Sequence, residues 1–202
     1  MNLPNGITVH DDWLTGPLLE KLTGAASWLP MYFLNRASRF DTHSLDIHWY
    51  YPVAVTEESL TGRVEDQLDA LEDPLDVIRD AWMKIADKTG GDLGVYECMV
   101  SANTFGTEGS PHYDMLNRQV APAHLTFLVY CNTHWENTWA GETLFFDEHG
   151  EISGGVMPRP GRVVIIRGDP NHVGRSVSRI CPCDRRVLVF KAWDEAMLKS
   201  LS

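Results

Sequence analysis

An α+β chain in which β-structure dominates is what the sequence predicts. Three observations carry that expectation: helical periodicity confined to the first ninety or so residues, short β-branched and aromatic runs thereafter, and turn residues between those runs. Leu14, Leu18, Leu19, Leu22 and Ala25 recur at helical spacing across residues 14–29, and Pro30 ends the segment. The same period returns over residues 65–88 in Leu68, Leu71, Val77, Ile78, Trp82 and Ile85. Pro74 interrupts this second helix, which allows it two pieces, and Gly90-Gly91 closes it. Its acidic residues form a solvated face. Between the helices, Leu45 to Tyr51 alternates and is aromatic, as a strand does.

Beyond Gly91 strands are expected at Val95–Ser101, Leu125–Cys131, Thr143–Phe146, Arg162–Arg167 and Arg186–Trp193, with no further helical period. Helices followed by a sheet-rich half argue for an antiparallel sandwich or barrel. A chain of 202 residues that is 44% hydrophobic can bury one sizeable core and is too short for two ordinary domains. One domain over residues 1–202 is therefore expected, with a helix-rich part at 1–91 and a sheet core at 92–193. Gly90-Gly91 marks a change of texture inside it.

Charge narrows the partners. Lys plus Arg number 17 against 28 Asp plus Glu, and a net charge of −11 opposes both nucleic acid and anionic membrane. The start lacks a basic region followed by an apolar one, and no stretch approaches the roughly 18 apolar residues of a membrane span. Cys98, Cys131, Cys181 and Cys183 form neither a CxxC pair nor a disulfide framework, so they read as reduced thiols in a cytoplasmic protein.

Chemistry concentrates in Pro111-His112-Tyr113-Asp114, where a strand's period of two puts His112 and Asp114 on one side of the chain. Two ligands can then share an ion. His172, just after the apolar run Val163–Ile166 and a Gly-Asp-Pro turn, is the natural third. Two imidazoles and a carboxylate on one face of a metal form the triad of non-haem Fe(II) oxygenases, which leaves positions open for a bidentate co-substrate and for oxygen. The other histidines carry less. His43 and His48 could seed a second site but have no later partner, and His10, His124, His134 and His149 read as surface or hydrogen-bonded residues.

In order along the chain follow Tyr130-Cys131-Asn132, Ala140-Gly141-Glu142-Thr143-Leu144-Phe145-Phe146, Pro158-Arg159-Pro160-Gly161-Arg162 ahead of His172, and Arg185-Arg186-Val187-Leu188-Val189-Phe190. With the HxD these motifs resemble the prolyl-hydroxylase-like branch of the 2-oxoglutarate and Fe(II)-dependent dioxygenases, over about Val95 to Trp193. The resemblance implies a double-stranded β-helix, or jelly roll, with the N-terminal helices packed on one sheet. His112, Asp114 and His172 match the family's metal ligands, which implies Fe(II), 2-oxoglutarate as co-substrate and O2. Asp114 stands where halogenating relatives carry Gly or Ala, so the resemblance implies oxygen insertion rather than halide transfer.

The family anchors the distal carboxylate of 2-oxoglutarate on a basic residue at the start of the strand after the second His. Arg186 stands fourteen positions beyond His172, and Ile180-Cys181-Pro182-Cys183-Asp184 looks like an insertion. Parity sends Arg185 and Arg186 to opposite faces, and the apolar run after them does not choose. Arg186 is favoured, because the family's basic residue is often the second of such a pair. Tyr130 matches a tyrosine that bonds the same carboxylate, and Asn103 stands where relatives place another cofactor-contacting tyrosine. Gly141-Glu142-Thr143 is given a structural role alone, and Trp135 and Trp139 fall in a loop near the mouth.

The implied reaction hydroxylates an unactivated C–H bond while 2-oxoglutarate is decarboxylated to succinate. A small-molecule substrate is the first choice and a peptidyl residue the second. Other classes are a cupin-like enzyme using zinc or manganese, which would release no succinate, and a ligand-binding jelly roll, which would hold no metal.

Overall fold

The structure, a computed structural model, describes residues 3–34, 47–58, 60–115 and 117–201. Its elements in chain order are β1 (Ile7–His10), α1 (Gly16–Ser27), β2 (Tyr32–Leu34), β3 (His48–Val55), α2 (Glu65–Asp69), α3 (Asp76–Thr89), β4 (Leu93–Asn103), β5 (His124–Tyr130), β6 (Thr143–Phe146), β7 (Ile152–Val156), β8 (Val163–Arg167), β9 (His172–Gly174), β10 (Arg185–Asp194) and α4 (Glu195–Leu201). Seven strands form one antiparallel sheet in the order β1-β8-β5-β10-β4-β3-β2, and three form another in the order β7-β6-β9. An isolated bridge from His112 to His172 extends the smaller sheet beyond β9. From β4 onward the chain passes between the sheets so that β8-β5-β10-β4 faces β7-β6-β9 and the His112 segment. This is the double-stranded β-helix.

Both faces of the large sheet are covered, each by different residues of the same strands. On the outer face Cys98, Val100, Phe127, Val129, Leu188 and Phe190 meet Leu22, Ala25 and Ala26 of α1 and Val77, Ile78, Ala81, Trp82 and Ile85 of α3. Trp82 packs at ring-centroid distances of 5.5 Å from Phe127 and 5.1 Å from Phe190. Each Val, Leu, Ile or Phe side chain among these contributes about 1.5–3 kcal/mol on burial. The inner face presents Leu128, Tyr130, Val164, Ile166, Val187 and Val189 toward Phe145 and Val156 of the small sheet. Helices on one sheet are thus explained by an amphipathic stripe docking on alternate residues of β4, β5 and β10.

Several expectations change. Besides the strand expected near Leu45–Tyr51, the helix-rich part at 1–91 contributes β1 and β2, and all three belong to the large sheet. Strand β3 runs past the anticipated Tyr51 through Pro52 with a bulge before Ala54. Because β2 covers only His48–Tyr50, the missing N–H of Pro52 falls where β3 is an edge. β7, Ile-Ser-Gly-Gly-Val, has no alternation to reveal it. Helix α4 lies beyond Gly91 without a helical period to mark it, because at seven residues it is too short to print one. The second helix does fall in two pieces, α2 and α3. Among the described residues no helix is long and apolar enough to cross a membrane.

Candidate metal centre

Two backbone hydrogen bonds of 3.0 Å, His112 N–H to His172 O and His172 N–H to His112 O, set the two histidines side by side. Their ring centroids lie 4.8 Å apart. Each ring is oriented by the same local device: the Nδ1 of His112 bonds Ser110 O at 3.1 Å, and the Nδ1 of His172 bonds Pro170 O at 3.0 Å. A carbonyl can only accept, so each Nδ1 carries the proton and each Nε2 presents a lone pair. Asp114 points to the same place, with Oδ2 3.8 Å from His172 Nε2, while Tyr113 between the ligands is exposed. One ligand atom from each of His112, Asp114 and His172 lies within 4.8 Å of the others. Nitrogen and oxygen donors on one side of a point, with their outer partners in place, fit a divalent metal of the Fe(II) type.

Asp114 is itself tied from three sides. Its Oδ2 accepts Thr126 Oγ1–H at 2.8 Å, and Lys191 Nζ lies 2.9 Å from Oδ1. Asp169 receives the backbone N–H groups of Asp114 at 2.6 Å and Met115 at 3.0 Å, and pairs with Arg118 at 2.7 Å. Burial would raise the Asp114 carboxyl, but the Lys191 ammonium and the neighbouring imidazoles outweigh it and hold the group well below the usual carboxylate range. Burial likewise opposes the charge on Lys191, yet Asp114 and Glu97 keep its pKa raised. Thr126, Asp169 and Lys191 escaped the sequence reading. A lysine inside the apolar run Val187–Trp193 was the available signal.

At the other end of the barrel the structure sends Arg185 and the favoured Arg186 to opposite faces of β10. Arg185, 3% exposed, points inward, whereas Arg186 faces α1, pairing with Asp184 at 2.8 Å and donating to Ala26 O. Arg185 donates to Gly141 O at 2.7 Å, Asn103 Oδ1 at 3.2 Å and Thr143 Oγ1 at 2.8 Å, and lies 5.1 Å from the centre of the Tyr130 ring. Occupied by Arg185, the Thr143 hydroxyl donates to Tyr130 Oη at 2.8 Å, which in turn donates to Val156 O at 3.4 Å. Gly141 and Thr143 therefore do more than make a turn. Asn103 also donates to Thr107 O at 3.0 Å, so its amide braces the arginine from one side. Trp135 packs by this cluster, since a Cβ on Gly141 would lie 2.9 Å from its ring and 3.2 Å from Arg185 Cδ.

Of the remaining histidines, His43 lies outside the described residues and His48 is buried in β3, away from the triad. Of the two roles expected for His124 the structure gives the hydrogen-bonded one: it is 1% exposed and bonds Tyr96 Oη at 2.9 Å. Burial pushes its imidazole down to about 4. Because the unfolded chain, near the ordinary 6.5, takes up the proton first, stability falls as pH drops from about 6.5 to 4, by about 3 kcal/mol. Asp169 works in the opposite sense, since burial beside Asp114 raises it to about 6 and the folded state protonates first. Urea unfolding of metal-free protein should therefore show His124→Gln losing about 3 kcal/mol less than the parent across that window. Equal losses would contradict the account.

The comparisons with known proteins agree with this geometry. The model of the 2OG-Fe(II) oxygenase superfamily matches residues 86–193, more than half of the chain. The chain belongs to that superfamily. Its cofactors are accordingly Fe(II) and 2-oxoglutarate, with O2 as co-substrate. A search of the curated proteins finds no match. Among solved structures the fold is similar to a Trichoplax adhaerens prolyl hydroxylase in complex with a hypoxia-inducible-factor peptide, at 15% identity and TM-score 0.63, covering 98% of this chain and 88% of that one. It is also similar to the α-ketoglutarate-dependent epimerase SnoN from nogalamycin biosynthesis, at 13% identity and TM-score 0.59, covering 94% and 78%. HygX from Streptomyces hygroscopicus, with nickel and 2-oxoglutarate bound, matches at 11% identity and TM-score 0.58, covering 93% and 82%.

Proposed function

We propose that this oxygenase is a cytoplasmic dioxygenase of the prolyl-hydroxylase-like branch that hydroxylates an unactivated C–H bond of a small molecule and converts 2-oxoglutarate to succinate. The observation that carries the reading is the environment of Arg185. Its partners are two carbonyl oxygens, a hydroxyl and an aromatic face, and among the described residues no carboxylate lies within ion-pair distance of it. A buried guanidinium without a counter-charge is costly, and an incoming carboxylate supplies what is missing. Two of its five N–H groups are left for that bond. Gly174, two residues after His172 on β9, keeps the approach open: a Cβ there would lie 3.3 Å from Arg185 Nη1.

In this reading His112, Asp114 and His172 would hold iron, and Arg185 would receive the far carboxylate of 2-oxoglutarate, joined by Tyr130 when its hydroxyl turns from Val156 O. Bound together, metal and co-substrate supply the oxidising power for C–H hydroxylation. The protein's own residues do the positioning. Backbone carbonyls at Ser110 and Pro170 fix the imidazoles, Thr126 and Lys191 fix the carboxylate, and Asn103, Gly141 and Thr143 fix the arginine. The likeness to SnoN supports a small-molecule substrate, and the likeness to a peptide-bound prolyl hydroxylase supports a peptidyl residue as the second reading.

The deciding experiment incubates Fe(II)-loaded protein with 2-oxoglutarate under air and measures succinate, with and without a panel of small molecules and peptides. Iron- and oxygen-dependent succinate is expected, and a true substrate raises it above the uncoupled background. Turnover with zinc or manganese that ignores 2-oxoglutarate would overturn the proposal.

A further inference from the structure

Lys191 lies on the inward face of β10, six residues beyond Arg185 on the same side of the strand. Its ammonium is 2.9 Å from Asp114 Oδ1 and 3.5 Å from Glu97 Oε2, and its side chain is 8% exposed. Val187 and Val189, the inward residues between the two cations, are apolar and pack in the barrel core. A methionine at position 191 would continue that pattern at a lower desolvation cost, so the cation needs a reason to be there. Glu97 supplies one half of it. The Lys191–Glu97 pair is neutral as a unit, which leaves the charge of Asp114 intact, while the ammonium still holds Oδ1 by a charge-assisted hydrogen bond.

The two oxygens of Asp114 are thereby made unequal. Oδ1 is held by a cation that cannot share it with a metal without repulsion, and Oδ2, on a neutral threonine hydroxyl, is the oxygen 3.8 Å from His172 Nε2. A carboxylate that gives one oxygen to an octahedral ion alongside two histidines leaves three positions, enough for a chelating co-substrate and oxygen. Giving both oxygens leaves two. We propose that Lys191 is a positioning residue that confines Asp114 to ligation through Oδ2 and so keeps the third position open. This rests on the metal reading above and adds to it a role for a residue that touches neither metal nor co-substrate.

Co(II) serves as a spectroscopic probe that needs no turnover. In Lys191→Met the visible Co(II) spectrum is expected to differ from the parent's, and 2-oxoglutarate should bind the Co(II) protein about tenfold or more weakly, the scale seen when outer partners of metal ligands are removed. Lys191→Gln, which keeps a donor without the charge, should share the altered spectrum, and a parental spectrum in it would overturn the role given to the cation. An unchanged spectrum and unchanged co-substrate affinity in Lys191→Met, with only a lower Tm, would overturn the proposal. A third measurement needs no variant: infrared difference spectra of the parent carrying carbon-13 aspartate, taken on Co(II) binding, should show the carboxylate splitting of one-oxygen ligation. A two-oxygen pattern overturns the role of Lys191 while leaving the metal site standing. Failure of the parent to bind Co(II) removes the metal site itself.

Discussion

In His172→Ala the affinity for Fe(II) is expected to fall by more than about a hundredfold, and succinate release with it. Losing even an outer partner of a metal-bound histidine costs 10–100-fold, and here a ligand itself is gone. The fold should survive, because the backbone bonds between His172 and His112 do not depend on the side chain and the position is at the rim of the small sheet. His112→Ala and Asp114→Ala should match it in metal loss. Asp114→Ala carries an added cost in stability, since it leaves Lys191 buried with only Glu97 at 3.5 Å. Metal analysis of the purified variants, set beside their circular dichroism, decides the matter: full iron content in a folded His172→Ala protein would remove the triad.

The second large effect concerns Arg185. Arg185→Ala should raise the 2-oxoglutarate requirement about thirtyfold or more, the consequence of losing a buried charge-assisted contact of roughly 2–5 kcal/mol. Arg186→Ala should leave it nearly unchanged, because that side chain is engaged with Asp184 and Ala26 on the helix side of the sheet. Gly174→Ala provides an independent arm. The added methyl would crowd the guanidinium rather than His112, Asp114 or His172, so the KM for 2-oxoglutarate should rise while metal content holds. If Arg186→Ala were the damaging change, the inward face of β10 would be the other one.

Sequence alone determined the parts of this protein that rest on residue type and local order. The meeting of His112, Asp114 and His172 is legible because side chains two residues apart share a side of any extended chain, and the later histidine follows a strand and a turn. The stripes of α1 and α3 are legible because each helix has one wet face, so a period survives in the letters. The tertiary structure decided what depends on which face of a strand is which. The large sheet is packed on both sides, and Val187, Leu188, Val189 and Phe190 are all buried, so β10 reads as one apolar run in which alternation leaves no trace. Only the docking of α1 and α3 on Leu188 and Phe190 turns Val187 and Val189 inward, and with them Arg185 at one end and Lys191 at the other. The same holds for Asp169 and Thr126, whose partner Asp114 is 55 and 12 residues away and comes within reach only when the barrel closes.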